Sequence, residues 1–367
     1  MGADGMRIAM VAPPWFEVPP DGYGGIEQMV ATLIHGLEAS GDDVTLIAAG
    51  EDRTDAELRR TFRSTPDGLG GPDSLPIELV HAQRAAALLK DVDVDVVHDH
   101  SVVGPLLAPY RPVPTVVTVH GPVEGWMRRL YASLRAVGLV AISDAQRRSA
   151  PDLPWVATVY NGIDVAAAPF RAEKDDWFLF LGRMDPTKGV VEAIEIARAA
   201  GRRLLIAAKA SDDDEQRYLE EVVKPLLDED AVYLGDADAN RKQELLAEAR
   251  ALLFPIRWEE PFGLVMIEAM ACGTPVVAMR RGSVPEVVDH GVTGLLVHPL
   301  DGVSRAVRSV EPALALDRAA VRDRARQRFG LDPMIDSYLD LYDSVLATAS
   351  SPRLTPPKRA LRREIRR

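Results

Sequence analysis

Short apolar runs alternate with longer amphipathic stretches along most of the chain. The first run, residues 7–12, is almost wholly apolar, as expected for a buried strand. Residues 25–40 follow with apolar side chains at helical spacing, and Gly41 supplies a stop signal. Further strands are predicted at 44–48, 94–98, 115–119, 138–142 and 156–160. Buried strands that alternate with amphipathic helices indicate parallel sheets covered on both faces.

A second series of the same kind begins after the turn Asn161-Gly162. A last amphipathic helix begins at Asp332-Pro333 and extends to about Thr348. The strands of the second series are predicted at 177–181, 204–208, 231–234, 251–254 and 275–278. The pattern therefore predicts an α/β protein with two doubly wound parallel-sheet domains, residues 1–163 and 164–332.

Length and composition agree with two globular domains. The chain has 367 residues, of which 47% are apolar and 27% charged, so global disorder and fibrous repeats are excluded. A net charge of −12 argues against a nucleic-acid-binding body. Cys272 is the only cysteine, which excludes an intrachain disulfide and favours a reducing cytoplasm. Abundant Arg and Ala, which have GC-rich codons, favour a bacterial source.

The C-terminal segment 351–367 differs from the rest of the chain. It contains seven basic residues, one acidic residue and three prolines, and it has no apolar face that could join a core. This composition predicts a basic, disordered tail. Such a tail either stays solvated or makes a weak peripheral contact with anionic lipid. No run of about 18 apolar residues is available to span a bilayer.

The loops that follow the strands carry the candidate chemistry, because ligands of open parallel sheets bind at the carboxyl ends of the strands. The first loop, 13–23, is long and leads into Gly24-Gly25, so it is not the tight glycine turn of a dinucleotide fingerprint. Gly24 and Gly25 either admit an anion to the start of the next helix or serve only as turn glycines. The segment 182–189 lacks the second Gly and the Ser/Thr of a P-loop.

Two histidines raise a metal site as an alternative. His98 and His100 lie two residues apart, so they could share one face of a strand. Asp99, the carboxylate between them, points to the opposite face. The sequence has neither a cysteine cluster nor a His-Glu-x-x-His motif. We therefore expect no metal site.

The segment 258–268 is the richest in candidate chemistry. It opens a helix whose first amides have no partner within the helix, namely those of Phe262, Gly263 and Leu264. Such amides form an anion or polyol site. Glu260 lies beside this helix start, where it could instead favour the helix dipole. Glu268 lies two turns farther on, either on a solvated helix face or, as its apolar neighbours indicate, on a buried one, where a carboxylate needs a partner.

Several short motifs accompany this segment in a fixed order along the chain. Gly282-Ser-Val-Pro285-Glu286 follows it. The motifs that precede it are Gly24-Gly25, Val119-His120-Gly121, Asn161-Gly162-Ile163-Asp164 and Gly182-Arg183 with Lys188-Gly189. With Glu260 and Glu268, this ordered set resembles the retaining glycosyltransferases of family 4 from about residue 6 to residue 348.

The resemblance implies two Rossmann-like domains that face each other across a cleft, with the last helix, 333–348, returning to the first domain. It also implies metal-independent transfer of a hexose from a nucleoside-diphosphate sugar to an acceptor hydroxyl. The implied mechanism is a front-face reaction with retention at C1. UDP-hexose is the favoured donor and GDP-mannose the alternative. No cofactor is expected, since cationic side chains take the place of a metal ion on the diphosphate.

The resemblance further implies a role for each matching residue of the second domain. Arg183 and Lys188 bind the donor diphosphate, and Glu268 binds the ribose hydroxyls. Glu260 and the amides of residues 262–264 hold the donor sugar.

The first domain is expected to supply the opposite wall of the site. Gly24 and Gly25 admit the diphosphate, and His120 approaches the reacting sugar unless it is only a structural histidine at a strand end. The implied catalytic residues are therefore His120, Glu260, Arg183 and Lys188.

The acceptor is expected to contact aromatic side chains of the first domain. The candidates are Trp15, Tyr23 and Trp126, which either stack on the acceptor or pack the loops. The acceptor could be a small molecule, a glycan or a glycolipid. Two alternatives keep the fold: a nucleotide-sugar epimerase or phosphorylase-like enzyme, and a non-catalytic nucleotide-binding subunit. The complete set of implied catalytic residues argues against the second.

Overall fold

The protein is described by a computed structural model that covers residues 5–22, 24–69, 71 and 73–350. The strands of the first sheet are β1 (Arg7–Val11), β2 (Asp43–Ala49), β3 (Glu57–Phe62), β4 (Val96–Asp99), β5 (Thr115–Val119), β6 (Val137–Ala141) and β7 (Trp155–Thr158). They run parallel in the order β3-β2-β1-β4-β5-β6-β7. The order reverses between β1 and β4, and sheets of this kind bind ligands outside the carboxyl ends of the strands at that point.

Helices cover both faces of the first sheet. Among the described residues they are α1 (Gly25–Ala39), α2 (Ser74–Leu88), α3 (Gly125–Ser133) and α4 (Asp144–Ser149). Helix α1 begins directly after Gly24 and buries a stripe of apolar side chains that includes Met29, Leu33 and Leu37. This spacing of four residues is the amphipathic pattern seen in the sequence.

The second sheet repeats the arrangement. Its strands are β8 (Trp177–Arg183), β9 (Arg203–Lys209), β10 (Ala231–Gly235), β11 (Ala251–Phe254), β12 (Val276–Met279) and β13 (Gly294–Val297), in the parallel order β10-β9-β8-β11-β12-β13. Its helices are α5 (Val190–Ala199), α6 (Asp213–Tyr218), α7 (Ala239–Glu248), α8 (Leu264–Ala271), α9 (Val284–Val287), α10 (Gly302–Leu314) and α11 (Arg318–Phe329). The order reverses between β8 and β11. Strand β8 leads into the segment 182–189, and β11 precedes the segment 258–268.

The predicted fold class, with two Rossmann-like parallel-sheet domains, is confirmed. Every predicted strand is present, and the ends differ by no more than two residues. The pattern does not predict β3 or β13, which lie at sheet edges. Strand β3 reads ELRRTF and is largely polar, and β13 has four residues, so neither carries a strong apolar signal.

The last helix, α12 (Leu331–Ser350), returns to the first domain, as expected. It packs on α1, where a Cβ on Gly36 would collide with Ile335, so the glycine permits the close approach. Tyr338 and Tyr342 of α12 are fully buried in the core of the first domain. The helix therefore joins the segment that follows the second domain to the core of the first domain.

The structure leaves two of the predictions untested. The basic tail 351–367 lies outside the described residues, and the boundary at residues 163 and 164 stays a prediction. Within the described ranges, no helix is both long enough and apolar enough to cross a bilayer.

Candidate active site

A cleft of about 250 Å³ lies between the two domains. The glycine loop before α1 forms one wall, and the ends of β8 and β9 with the starts of α7 and α8 form the other. The predicted donor-binding residues that line the cleft are Gly24, Gly25, Arg183, Lys188, Glu260, Gly263, Leu264 and Glu268. The two walls approach closely, since a Cβ on Gly25 would stand 3.3 Å from Cδ1 of Leu264.

The start of α8 is anchored from behind the cleft. Gly263 caps the helix with a φ of 81°, a left-handed conformation that favours glycine. Phe262 does not line the cleft with its side chain, because its buried ring packs against Tyr160 and Phe329 at centroid distances of 6.2 and 6.0 Å. Ser283 Oγ donates to the Phe262 carbonyl at 2.9 Å. Phe262 therefore positions the helix start, and only its backbone amide remains a candidate donor.

Lys188 and Glu260, predicted to serve different parts of a donor, bind each other. Glu260 is buried, and its Oε2 accepts from Lys188 Nζ at 2.8 Å and from Trp258 Nε1 at 3.0 Å. The Lys188 ammonium also lies 4.7 Å from the centroid of the Trp258 ring. A Cβ on Gly282 would collide with the Glu260 backbone, so glycine is required where these two loops meet.

Arg183 is held at the end of β8 by carboxylates of the next crossover. Its Nε donates to Glu215 Oε1 at 2.6 Å, and a terminal nitrogen donates to Asp212 Oδ2 at 3.3 Å. Asp212 also caps α6 by accepting from the Glu215 amide. The guanidinium is therefore preorganised at the edge of the cleft, which it lines.

Glu268 has the partner that its burial requires. Its side chain is 12% exposed, and its Oε1 accepts from Lys242 Nζ at 2.7 Å. Lys242 lies on α7 and lines the same cleft. Lys242 was not predicted from the sequence, because no local spacing rule connects residues on two helices. The only available signal was the need of a buried carboxylate for a cation.

Lys209 is a second missed cation. It pairs with Arg183 in the register of β8 and β9, so both side chains emerge at the same carboxyl edge. Its Nζ lies 6.0 Å from the ring centroid of Phe16, a first-domain residue, and so contributes a cation–π contact across the cleft. The rule that ligands bind at strand ends was sufficient to find it.

His120 is half-buried at the carboxyl end of β5. Its Nε2 lies 2.9 Å from Nδ1 of His100, which follows β4. Burial lowers the pKa of His120 to about 3, so the ring is neutral at physiological pH. It does not line the 250 Å³ cleft itself, so its predicted contact with the sugar stays a prediction.

Both ring nitrogens of His98, one of the two histidines considered for a metal site, have hydrogen-bond partners within the protein. His98 Nδ1 lies 2.7 Å from Tyr342 Oη, and its Nε2 lies 2.7 Å from Thr118 Oγ1. Asp99, on the opposite face, accepts from Arg111 at 2.7 Å. Among the residues that the structure describes, no three His, Cys, Asp or Glu side chains are grouped to hold a metal ion.

Gln146, another residue that the sequence analysis did not assign to the site, holds the loop of His120. Its Nε2 donates to the carbonyls of Val119 and Gly121 at 2.7 and 2.8 Å. The backbone N–H of Gln146 donates to Ser143 Oγ, and its side-chain Oε1 accepts from the backbone N–H of Ile142 at 2.9 Å. The Ser-x-x-Gln pattern therefore caps α4 while the glutamine side chain serves the neighbouring strand.

The three aromatic residues predicted to contact the acceptor differ in exposure and surroundings. Trp15 is 9% exposed and its Nε1 donates to Glu78 Oε1 at 2.8 Å, which corresponds to the packing alternative. Tyr23 lies outside the described residues. Trp126 is 61% exposed at the start of α3, and its neighbour Gly125 lines a second cavity of about 670 Å³. Glu260 lines both cavities, so they meet at this residue.

Comparisons with known proteins decide the family. The family model described as Glycosyl transferases group 1 matches residues 165–328, and the model described as Glycosyltransferase Family 4 matches residues 23–167. A glycogen synthase of Mycobacterium tuberculosis is 31% identical over 89% of this chain and 91% of its own length. The chain belongs to glycosyltransferase family 4. Another relative of this glycosyltransferase, the α-maltose-1-phosphate synthase of M. tuberculosis, is 28% identical over 93% of this chain and 100% of its own.

Solved structures agree with this assignment. AviGT4, a glycosyltransferase involved in avilamycin A biosynthesis, superposes with a TM-score of 0.70 at 26% identity, over 93% of this chain and 98% of its own. HepE of Anabaena, solved with UDP and glucose, has a TM-score of 0.71 at 18% identity, over 92% of this chain and 100% of its own. The latter similarity shows the fold, in which this glycosyltransferase has two domains that face each other across a cleft.

Proposed function

We propose that this glycosyltransferase transfers a hexose from a nucleoside-diphosphate sugar to an acceptor hydroxyl, with retention at C1. The proposal rests on one observation, the cleft in which cationic side chains and the start of α8 face the glycine loop of the first domain. UDP-glucose is the first donor to test, because HepE was solved with UDP and glucose. GDP-mannose is the alternative.

The cleft suits a diphosphate. Arg183, Lys188 and Lys209 line one wall, and the amides at the start of α8, which have no partner within the helix, add a positive dipole end. Gly24 and Gly25 leave room for the phosphates at the other wall. The leaving nucleoside diphosphate gains negative charge as the glycosidic bond breaks, so preorganised cations and amides lower the barrier.

The nucleoside is assigned to the end of the cleft near Glu268. Carboxylate oxygens accept hydrogen bonds from vicinal hydroxyls, and Glu268 is held in place for this purpose by Lys242. Asp236 and Ala237 line the same end of the cleft and would lie beside the base.

The proposed reaction takes place on one face of the sugar. The bond from C1 to the diphosphate oxygen breaks, and the acceptor oxygen forms its bond to C1 on the same face. The leaving phosphate oxygen takes the acceptor proton, so atoms and charge balance without an enzyme nucleophile. Glu260 stabilises the positive charge that develops on the sugar, and His120 contacts a sugar hydroxyl from the first domain.

The acceptor is assigned to the 670 Å³ cavity. It is formed by residues of both domains, including Glu124 and Arg128 from the first and Trp258 and Glu259 from the second. Mixed charges with an aromatic face suit a polyhydroxylated acceptor, because sugars combine hydroxyl groups with apolar ring faces. The cavity meets the donor cleft at Glu260, which is the point where transfer must occur.

The test is release of the nucleotide from UDP-glucose and GDP-mannose, with and without a panel of sugar and polyol acceptors. We expect acceptor-stimulated release of one nucleotide, and NMR of the product should show the donor's own anomeric configuration. An inverted product would contradict retention. Binding of UDP without release from any donor would favour the non-catalytic subunit, and an altered sugar still joined to the nucleotide would favour the epimerase.

A further inference from the structure

Three side chains form a line through the first sheet to the cleft-facing end of β5. Met10 lies on β1, His100 follows β4, and His120 follows β5. His100 Nε2 lies 3.0 Å from Met10 Sδ, and His100 Nδ1 lies 2.9 Å from His120 Nε2. Met10 and His100 are both buried, so water has no access to the contact between them.

Each of the two rings carries one proton. Burial lowers the pKa of His100 well below its ordinary value and that of His120 to about 3, and the neighbouring histidines oppose a charge on His100. A neutral imidazole has one N–H donor and one bare acceptor nitrogen. The question is therefore which nitrogen of each ring is protonated.

The thioether of Met10 decides the question for His100. A thioether sulfur has no hydrogen to donate and is only a weak acceptor. A bare ring nitrogen at 3.0 Å would place two lone pairs against each other, whereas an N–H at the same position makes an attractive contact. His100 therefore carries its proton on Nε2, and its Nδ1 is the acceptor.

The tautomer of His100 then decides that of His120. A bare Nδ1 on His100 can accept only from a protonated Nε2 of His120 across the 2.9 Å contact. We propose that Met10 and His100 act as positioning residues that fix His120 as the Nε2–H tautomer, which presents a bare Nδ1 to a hydroxyl of the donor sugar. Only the contact with the sugar rests on the proposed function.

This arrangement has a chemical consequence. With Nδ1 unprotonated, His120 accepts a hydrogen bond from a sugar hydroxyl and increases the electron density on that oxygen. The opposite tautomer would donate to the oxygen and withdraw density from a sugar that is becoming positive. The first tautomer therefore favours the charge that develops in the transition state.

The test is long-range ¹H–¹⁵N correlation NMR of the ligand-free protein labelled with [¹⁵N]histidine. The spectrum of His120→Asn identifies the signals of His120 by their loss. We expect Nε2 of His120 in the protonated range and Nδ1 in the unprotonated range. Because no donor is needed, this result does not depend on whether the proposed reaction is correct.

Met10→Leu supplies the decisive variant, since Met and Leu have similar volumes and such exchanges are usually tolerated. Without the sulfur, a buried N–H on Nε2 of His100 has no acceptor, so the proton should move to Nδ1 and reverse the tautomer of His120. We expect Nε2 of His120 to move to the unprotonated range and Nδ1 to the protonated range. We also expect kcat to fall about tenfold while the affinity for UDP is unchanged.

The matched control is His81→Asn. His81 is a buried histidine of the same domain that bonds to Thr61 outside this line, so its replacement should leave the His120 signals in place. An unprotonated Nε2 of His120 in the unsubstituted protein overturns the proposal. An unchanged tautomer in Met10→Leu overturns the role of Met10.

Discussion

Lys188 and Glu260 form an ion pair of 2.8 Å in the cleft between the two domains. The lysine follows β8 and the glutamate precedes α8, so the pair joins the two motif segments 182–189 and 258–268. The cation assigned to the diphosphate and the carboxylate assigned to the sugar are therefore already paired in the protein alone. A bound diphosphate has to share Lys188 with Glu260 or draw it away.

Lys188→Gln removes the cation and leaves Glu260 with only the Trp258 indole as a hydrogen-bond donor among the described contacts. We expect kcat to fall on the order of 10²-fold, because the charge of the leaving group loses a preorganised partner. Lys224→Gln is the control, since Lys224 forms an exposed pair with Glu220 away from the cleft. Initial rates on both variants test this; equal rates for Lys188→Gln and the control would contradict the assignment.

Lys242 and Glu268 are expected to act as one unit in nucleotide binding. Lys242→Met leaves a largely buried carboxylate without its cation, so the glutamate should lose the orientation that ribose binding needs. Both Lys242→Met and Glu268→Gln should weaken UDP binding. Their effects should not add in the double variant, with a coupling of about 1 kcal/mol. Calorimetry on the four proteins measures the coupling, and strictly additive losses would show that the residues act separately.

Much of the fold was predictable because the sequence signals that carry it are local. Buried strands and amphipathic helices are indicated by the spacing of apolar side chains in consecutive residues, and the predicted strands are all present. Strand β3 was missed because an edge strand with an exposed, polar sequence lacks that signal. The returning helix was expected only from the family resemblance, since its apolar face alone could have packed on either domain.

The site was predictable where function resides in a motif, and not where it depends on contacts between distant segments. Gly24, Gly263 and Glu260 belong to recognisable local patterns and line the cleft. Lys242 reaches Glu268 from another helix, and no spacing rule connects them. Trp15 illustrates the converse: it lies in a loop predicted to meet the acceptor, but its indole is buried and bonds to Glu78 of α2, a contact that no local pattern indicates.

Activity is expected to be independent of divalent metal ions. If Arg183, Lys188 and the amides of α8 stabilise the diphosphate, a metal ion has no necessary place on it. Initial rates should therefore stay within about twofold after treatment with EDTA. Loss of activity that manganese or magnesium restores would show that these cations are insufficient.

Stability is expected to fall as the pH is lowered from 7 to 5. Burial lowers the pKa of His98 and His120 to about 3 and of His81 to about 4, and that of His100 also lies well below 6.5. Below pH 6.5 the unfolded chain therefore binds protons that the folded protein does not. Each histidine then lowers the free energy of unfolding by up to about 1.4 kcal/mol for each pH unit of acidification. Three carboxyls work in the opposite direction: burial raises the pKa of Glu27 to about 7 and also raises the pKa of Glu78 and Glu38.

Four histidines outweigh these carboxyls, because the histidine shifts cover the whole range below pH 6.5, so the free energy of unfolding should decrease toward acid. Urea unfolding at pH 7, 6 and 5 measures it. A free energy of unfolding that stays constant or rises over this range would contradict the neutral state of the four histidines.

Glu260 and Glu268 are assigned different tasks, and this division is the central claim about the site. Glu268 meets the nucleoside, which is bound equally in substrate and product, so its loss should weaken binding. Glu260 meets the sugar, where charge develops only as the bond breaks, so its loss should slow turnover. Glu260→Gln also releases Lys188 from its ion pair, which gives a further reason for UDP affinity to be retained.

The most direct measurement is calorimetry with UDP, combined with initial rates, on Glu260→Gln and Glu268→Gln. We predict that Glu260→Gln binds UDP as the unsubstituted protein does while kcat falls on the order of 10²-fold or more. Glu268→Gln should bind UDP weakly and show mainly a raised KM for the donor. Lost UDP affinity with normal kcat in Glu260→Gln would contradict the account, because the two carboxylates would then have the reverse roles.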